Sequence, residues 1–215
     1  MKIIIPARGG SKRIPNKNIT DLCGHPLIHY AIENSLSLTP SVYISTDCPK
    51  IKKVCADYPV NIIDRPPELA TDEAPTNPVI GHFLANTNVD TFACVQATSP
   101  LFRASDLNLA FNKLATAKYD SVIAVREDVE FCWDKAGKPI NFSPLRRLRT
   151  QDMESWYIEN GSFYVTSRDS FFKNNSLIGE RVGFIVMPKI DSIDIDTPED
   201  LKLAALILKS RLVHV

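Results

Sequence analysis

The sequence predicts an α/β fold in which a largely parallel, doubly wound sheet is covered by helices. Three observations favour it: short β-branched or aromatic runs, stretches of helical period between them, and prolines at the boundaries of both. A chain of 215 residues with 44% hydrophobic side chains is long enough to bury a sizeable core. We therefore predict a single domain over residues 1–215, with its ligand crevice at the carboxyl ends of the strands.

Five runs have the composition of buried strands. Each is short, rich in Ile, Val or aromatic residues, and followed by polar or turn-forming residues. The runs are Ile3–Ile5, Val42–Ser45, Phe92–Val95, Ser121–Val125 and Phe184–Met187.

Three segments between or after these strands have the period of amphipathic helices. They are Leu27–Leu36, Ala104–Lys118 and a last segment that begins near Pro198. In the last one Thr197 can cap the helix, and acidic residues follow in the first turn, where they suit the positive end of the helix dipole.

One stretch, residues 131–165, departs from the alternation of strands and helices. A hairpin is predicted over 131–142, with its turn at residues 135–139, and a basic, irregular segment follows it. We interpret 131–165 as an insertion in the core domain, anchored by Trp133 and Trp156. Exposed aromatic side chains on such a subdomain would make it a candidate oligomer interface.

Composition excludes several classes of protein. Twenty-five basic and 25 acidic residues give a net charge of zero, which argues against binding to polymeric nucleic acid or to a membrane surface. Five widely spaced cysteines without a C-x-x-C pair favour neither a disulfide framework nor a thiolate zinc site. With no apolar run long enough for a membrane helix, the sequence indicates a reduced, cytoplasmic protein.

A basic segment with two adjacent glycines follows the first predicted strand. Residues 6–18 read PARGGSKRIPNKN, and the first twenty residues hold five basic side chains and no acidic one. Gly9 and Gly10 let the backbone approach a ligand and turn its N–H groups toward it. The segment is neither a P-loop nor a dinucleotide fingerprint. It predicts a polyphosphate cradle, the alternative being a solvated basic turn.

A second candidate site lies in the acidic stretch 191–200. In extended backbone Asp194 and Asp196 share one face, while Ile193 and Ile195 point into the core. Two close carboxylates favour a hard divalent cation, and Mg²⁺ is commonly held by one or two carboxylates together with substrate phosphates. The alternative is that Asp196 helps the last helix to begin and Asp194 is a surface residue.

These motifs, with RPPELA at 65–70 and QATSPL at 96–101, closely resemble those of the acylneuraminate cytidylyltransferases, the CMP-sialic acid synthetases and their relatives that activate pseudaminic and legionaminic acids. The resemblance covers essentially the whole chain. It implies a Rossmann-like mixed, mostly parallel sheet of the nucleotide-diphospho-sugar transferase type, with a small inserted dimerisation subdomain at 131–165. It also implies CTP and a nonulosonic acid as substrates, Mg²⁺ or Mn²⁺ as cofactor, and a homodimer.

The resemblance implies roles for individual residues. The implied nucleotide site comprises Arg8, Gly9, Gly10, Ser11, Lys12, Lys17, Asn18, Arg65 and Thr76. The implied sugar site comprises Gln96, which would touch the acid or the nucleotide, and Arg149, Asn160, Ser162, Phe163 and Tyr164. Asp194 and Asp196 match the metal-binding pair, and with Arg8 and Lys12 they make up the catalytic set.

The implied reaction is attack of the anomeric hydroxyl of the acid on the α-phosphorus of CTP, with release of pyrophosphate. Such transfers depend mainly on positioning and on neutralisation of charge, which suits a basic cradle and a metal site. Either aspartate could also accept the hydroxyl proton. None of His25, His29, His82 and His214 is assigned a catalytic role, and Cys94 is read as a core residue.

One departure from the family pattern concerns the sugar site. Thr150 stands where many relatives have an arginine, immediately before the segment matching Gln151 and Asp152. A carboxylate or phosphate contact is therefore lost there, or is assumed by Arg149. The inserted subdomain also looks short.

Three alternatives remain at this stage. The CMP-octulosonate synthetases carry an extra metal-binding aspartate after the strand Phe92–Val95, where this chain offers Thr98. The sugar-1-phosphate nucleotidyltransferases are expected to show a G-x-G-T-R loop, which is absent. The third alternative is a catalytically silent nucleotide-binding protein on the same scaffold.

Overall fold

The computed structural model describes residues 1–212, so His214 lies outside the described residues. The strands are β1 (Lys2–Pro6), β2 (Asp21–Leu22), β3 (His25–Pro26), β4 (Val42–Thr46), β5 (Asn61–Asp64), β6 (Thr91–Val95), β7 (Ser121–Asp128), β8 (Trp156–Ser167) and β9 (Val182–Met187). The helices are α1 (Ile28–Leu36), α2 (Pro49–Cys55), α3 (Thr76–Ala85), α4 (Ala104–Ala115), α5 (Arg168–Asn174) and α6 (Pro198–Leu212). All five predicted strands and all three predicted helices form.

Seven strands make one mixed sheet in the order β5-β4-β1-β6-β8-β7-β9. The pairs β1–β4, β1–β6, β4–β5 and β7–β9 are parallel, whereas β8 runs antiparallel to both of its neighbours. The prediction of a mixed, mostly parallel sheet flanked by helices is confirmed. Because the parallel strands share one direction, the segments that follow β1, β4, β6 and β9 emerge at the same edge of the sheet.

Strand β1 is buried on both faces, and its alternating side chains divide the core. Ile3 and Ile5 pack with α1, α2 and α4 on one face, while Ile4 packs with α3 and α5 on the other. Helix α6 belongs to a third apolar cluster, which contains Leu22 and Ile195. The segment around Ile195 is thereby held against the body of the domain.

The chain leaves the sheet between β7 and β8, in the region of the predicted insertion. The predicted hairpin is present as a short one: the Ile140 amide donates to the Cys132 carbonyl at 2.8 Å, and Trp133 bridges to Pro139. The ring of Phe142 packs on Trp133 at 5.0 Å between centroids.

The predicted end of the insertion, at residue 165, differs from the structure. Residues 156–165 belong to β8, which lies inside the main sheet. The physical reason is that Phe163 and Val165 are fully buried in the core, so this segment cannot leave the sheet. In the described part of the chain, no helix has the length and apolar character needed to cross a membrane.

Candidate active site

A cavity of about 440 Å³ lies where β1 and β6 end. Its walls are the basic segment after β1, the loop that leads into α3, the residues after β6, and Asp196. The predicted nucleotide residues that line it are Arg8, Ser11, Lys12, Lys17, Asn18, Arg65 and Thr76, and Gln96 lines it as well. Residues far apart in the sequence are thus brought together at the edge of the sheet where parallel-strand folds bind ligands.

The basic segment owes its shape to its glycines and to two side chains that hold its backbone. The amide of Gly9 donates to Asp47 Oδ1 at 2.9 Å, and a Cβ at Gly9 would lie 3.1 Å from Cys48 Cβ. Gly10 has a φ of +71°, a conformation that side chains disfavour. The buried Asn18 amide donates to the Arg8 carbonyl at 3.0 Å. Gly9 and Gly10 therefore shape the segment, and the cavity wall itself comes from their neighbours.

The cations of this segment pair with carboxylates in two groups. Arg8 Nη1 and Lys12 Nζ each lie 2.6 Å from the carboxylate of Asp72, one on each oxygen. Arg13 Nη1 and Lys17 Nζ approach the two oxygens of Asp196 at 2.7 and 3.0 Å. The hydrogen bonds of Lys12 and Arg8 lower the pKa of Asp72 below its usual value.

Arg65 supplies a fifth, buried cation at the base of the cavity. Its Nη2 donates to the Ser45 carbonyl at 2.7 Å and its Nε to Ser45 Oγ at 3.2 Å. Burial lowers the pKa of its guanidinium from the ordinary value, while the charge of Asp47 opposes that change. The side chain is therefore fixed in position by β4.

The segment with the two predicted metal ligands is held through the backbone of Ile195. The Ile195 amide donates to the Thr98 carbonyl at 2.8 Å, and Lys17 Nζ donates to the Ile195 carbonyl at 2.7 Å. The Ile195 side chain is fully buried. Asp194 and Asp196 therefore flank a fixed residue, at the junction of the loop after β6 and the basic segment.

Different residues of the acidic stretch cap helix α6 and line the first cavity. The cap is formed by Thr197 and Asp200. Asp200 Oδ2 accepts the amides of Asp196 and Thr197 at 3.0 and 2.7 Å, and Thr197 Oγ1 accepts the Asp200 amide at 3.3 Å. This reciprocal cap satisfies amides at the start of the helix. The carboxylate of Asp196 is left to face the cavity.

A second, larger cavity of about 890 Å³ adjoins Asp194. Arg126 and Lys189 line it together with Glu159 and Asn160, and α6 contributes Leu203 and Ile207. Asp196 thus faces the first cavity and Asp194 the second. The sequence predicts that both carboxylates lie on one face of an extended segment. In the structure they lie at the boundary between two cavities and line one each.

The predicted sugar residues are only partly brought together. Asn160 lines the second cavity and donates to Ser192 Oγ at 2.9 Å, while Gln96 lines the first. Ser162 and Phe163 are fully buried, with Phe163 packed on Phe102, so neither reaches a cavity wall.

The polar groups of Tyr164 and Arg149, two further residues of the predicted sugar site, bind neighbouring side chains. The Tyr164 hydroxyl donates to Glu159, and burial raises the pKa of Tyr164. Arg149 forms a two-pronged pair with Asp152 at 2.6 and 3.0 Å, on the surface and away from both cavity linings. In this position Arg149 contacts neither cavity, so its predicted contact with the substrate stays a prediction.

Four site residues were not singled out from the sequence: Asp47, Asp72, Arg126 and Lys189. Asp47 follows β4 at the carboxyl edge of the sheet, which is a signal the switch-point rule could have used. The other three gave no signal, because isolated charges in loops or at strand ends are common on any surface.

Asp194 and Asp196 are in different electrostatic states. Desolvation raises the pKa of Asp194, the Thr98 hydroxyl lowers it, and the charge of Asp196 raises it further. For Asp196 burial also acts to raise the pKa, but Lys17 and Arg13 outweigh it, so the pKa lies below its usual value. A cation between them would relieve the repulsion that Asp194 experiences.

The donor set fits magnesium. Within residues 1–212 no group of three or more His, Cys, Asp or Glu side chains is arranged to hold a metal alone. Mg²⁺ does not require such a cage, since it commonly takes one or two carboxylates and completes its shell with substrate phosphates and water. Two carboxylates beside a basic cavity satisfy that requirement.

The chain is similar to known cytidylyltransferases over nearly its whole length. A family model described as cytidylyltransferase matches residues 2–210. N-acylneuraminate cytidylyltransferase B of Danio rerio is 33% identical over 210 residues, which cover 94% of this chain and 49% of that protein. The pseudaminic acid cytidylyltransferase of Campylobacter jejuni is 30% identical over 220 residues, which cover 96% of this chain and 95% of that protein. The chain spans about half the length of the N-acylneuraminate cytidylyltransferases that it matches.

Solved structures support the fold. The structure of CMP:2-keto-3-deoxy-manno-octonic acid synthetase complexed with CTP superimposes with a TM-score of 0.72 at 18% identity, covering 98% of each chain. At that identity the likeness concerns the arrangement of strands and helices alone.

Proposed function

The chain belongs to the cytidylyltransferase family, and on that premise we propose that it transfers CMP from CTP to the anomeric hydroxyl of a nonulosonic acid, with release of pyrophosphate. One observation carries the proposal: five cations line the first cavity, and the Asp194–Asp196 segment closes it on one side. This arrangement supplies both charge neutralisation and a metal site beside the phosphates, which is what nucleotidyl transfer requires.

The triphosphate lies, in this proposal, along Arg8, Ser11, Lys12 and Lys17, with Arg65 and Thr76 toward the ribose and base. Arg8 and Lys12 are the catalytic cations, because positive charge beside the departing phosphates stabilises charge that develops as the bond to the α-phosphorus breaks. Even with these carboxylates, the lining of the cavity has an excess of positive charge, five cations against Asp72 and Asp196. An anion of high charge is the ligand that this excess favours.

Mg²⁺, with Mn²⁺ as a substitute, would be held by Asp194 and Asp196 together with phosphate oxygens. When bound, it neutralises phosphate charge and polarises the phosphorus–oxygen bonds. The protein's own part is to keep the two carboxylates in place, through the Ile195 backbone contacts to Thr98 and Lys17.

The acid occupies, in this proposal, the second cavity, with its anomeric hydroxyl toward Asp194. Arg126 and Lys189 are the cations on that side, and they suit the carboxylate that every nonulosonic acid carries. Asn160 offers a polar contact and Gln96 approaches from the first cavity. The apolar side chains of α6 then face the less polar substituents of the sugar.

A pyrophosphate-release screen tests the function. CTP is incubated with Mg²⁺ and, separately, with sialic, legionaminic and pseudaminic acids and octulosonate, while ATP, GTP and UTP replace CTP in control reactions. We expect release only with CTP and at least one nonulosonic acid. Release with octulosonate alone supports the octulosonate alternative, and no release with any acid supports a silent binding protein.

The homodimer remains part of the proposal. Large apolar side chains are exposed between β7 and β8, including Trp133 and Leu145, which is 96% exposed. Surfaces of this kind are usually covered by a partner. Light scattering coupled to size exclusion, on the wild type and on a Leu145→Lys variant, tests it: a wild-type monomer at micromolar concentration contradicts the proposal.

We also place the reaction in the cytoplasm. The five cysteines are all free thiols, as a reducing compartment would keep them. Fractionation of the native host, with detection of the protein by antibody, tests this placement, and recovery in an oxidising compartment contradicts it.

A further inference from the structure

The carboxylate of Asp72 is paired with Arg8 and Lys12, the two cations that we propose bind the phosphates. It lies at the wall of the first cavity, and its two oxygens bridge Arg8 and Lys12 at 2.6 Å each. A phosphate group bound between the same two cations would present two oxygens in the same way. Asp72 and the phosphate chain therefore compete for one pair of partners.

Asp72 is free to leave without disturbing the wall of the cavity. The loop that carries it turns through its backbone, with the Ala74 amide donating to the Thr71 carbonyl at 3.3 Å. The Thr76 end of the loop is the first turn of α3, whose buried Val79 and Ile80 anchor it. Among the described residues, the hydrogen bonds and ion pairs of the Asp72 carboxylate go to Arg8 and Lys12. A rotation of one side chain breaks both contacts.

We propose that Asp72 is an internal competitor of the phosphate chain: it neutralises Arg8 and Lys12 in the empty protein, yields them to CTP, and reclaims them as pyrophosphate leaves. The identity of the nucleotide rests on the proposed function, but the competition applies to any polyphosphate. It lowers the affinity of every polyphosphate, because a ligand must replace two ion pairs before it gains new ones.

Displacing Asp72 costs CTP and pyrophosphate the same two ion pairs, so the competition weakens the binding of both. CTP reaches Arg65 and Thr76 as well as the phosphate cations, and these contacts keep its affinity high. Pyrophosphate has only the cations, so the same penalty leaves it weakly bound, which favours its release after transfer.

Isothermal titration of pyrophosphate, CTP and cytidine into the full chain tests the proposal with a matched pair of variants. Asp72→Asn removes the competing charge and keeps the shape of the side chain. Glu73→Gln removes the same charge from the next residue, which does not line the cavity. Asp72→Glu keeps the charge, and Asp72→Ser repeats the loss of charge should the asparagine variant unfold. Thermal unfolding of each variant confirms that the fold is intact.

We expect Asp72→Asn to tighten pyrophosphate binding about 3- to 10-fold, as the loss of two partly exposed ion pairs permits. Glu73→Gln should change it less than about 2-fold, since only a screened long-range charge is lost. Asp72→Glu should bind as the wild type does, and cytidine should bind all variants equally. Equal or weaker pyrophosphate binding by Asp72→Asn, or an equal gain in Glu73→Gln, overturns the proposal.

The outcome is separable from the proposed function. Pyrophosphate titration requires neither the acid nor turnover, so it reads the competition even if no acid supports the reaction. Conversely, a normal transfer reaction with an unchanged pyrophosphate affinity in Asp72→Asn leaves the function standing and removes the competitor.

Discussion

The two cavities on either side of the Asp194–Asp196 segment are built in different ways. The first is walled by cations that are each tied to a partner: Arg8 and Lys12 to Asp72, Arg13 and Lys17 to Asp196, and Arg65 to Ser45. The second is about twice as large, 890 against 440 Å³. Its cations, Arg126 and Lys189, are also paired, both with Asp128, but apolar side chains of α6 form part of its wall. For the proposed substrates, this difference predicts that directional contacts bind the phosphate chain in the first cavity and that shape selects the sugar in the second.

The largest loss of turnover is expected at Asp196, the proposed metal ligand that also pairs with two cations of the first cavity. Asp196→Asn removes a proposed metal ligand and the carboxylate that pairs with Arg13 and Lys17. We expect turnover at saturating CTP to fall about 100- to 1000-fold, the range associated with loss of one group that stabilises transition-state charge. Initial rates of pyrophosphate release over a Mg²⁺ series measure it.

The matched control for that variant is Glu199→Gln, three residues further along. Glu199 is exposed in the first turn of α6 and lines neither cavity. Loss of its charge near the positive end of the helix dipole should cost less than about 1 kcal/mol of unfolding free energy, with turnover reduced far less than in Asp196→Asn. Near-normal turnover of Asp196→Asn in excess Mg²⁺ would remove Asp196 from the metal site.

The next variant tests whether the two cavities bind their proposed substrates independently. Arg126→Gln should raise the KM for the acid about 10- to 100-fold, the worth of a hydrogen bond to a charged group, and leave the KM for CTP within about 2-fold. Lys12→Gln is the reciprocal variant, with the larger effect on CTP. Steady-state kinetics with each substrate varied in turn decides it, and a parallel rise in both KM values for either variant contradicts separate cavities.

Site residues that belong to a cluster in the sequence could be predicted, whereas isolated ones could not. The basic segment and the aspartate pair were found because a cluster of like charges next to a strand is rare, and parallel strands bring such clusters to one edge. Arg149 lies outside both cavities in the structure, where it pairs with a local acid, Asp152, three residues away. No sequence pattern separates that surface pair from a substrate contact.

Strand β8 lies inside the main sheet, but the sequence analysis did not predict it as a strand. Glu159, Asn160, Gly161 and Ser162 interrupt the apolar alternation that marks a strand. The segment is nevertheless extended, because its neighbours β6 and β7 supply partners along most of its length. Tertiary pairing here overrides local preference, so residues expected on the rim of a sugar pocket, such as Phe163, lie in the core.

A smaller effect is expected at the apolar wall of the second cavity. Leu203→Ser should change the ratio of kcat/KM between two nonulosonic acids about 5- to 10-fold, since one apolar contact is worth about 1–3 kcal/mol. Leu206→Ser is the control, because Leu206 lies on the same helix, is 66% exposed and does not line the cavity. Competition assays with paired acids measure the ratio, and equal shifts in the two variants would assign the effect to the helix surface.

The smallest effect on turnover is expected at Asp191, a fully buried carboxylate three residues before Asp194. Arg211 and Arg103 both approach it, Arg103 at 3.2 Å, and so join the ends of α6 and α4 to the acidic segment. Arg103→Gln leaves Arg211 in place, so unfolding free energy should fall by about 1 kcal/mol. For a chain of this size the unfolding midpoint should then drop by about 2–4 °C.

The reason for expecting little change in turnover is that Ile195, through its two backbone hydrogen bonds, holds Asp194 and Asp196. If those bonds set the geometry of the metal site, turnover of Arg103→Gln stays within about 2-fold of the wild type, because a group fixed to within an ångström keeps its effect. A tenfold loss at an intact fold would instead show that the buried ion pairs of Asp191 position the carboxylates. In that case the geometry of the proposed metal site depends on groups behind it, in the packing of α4 and α6.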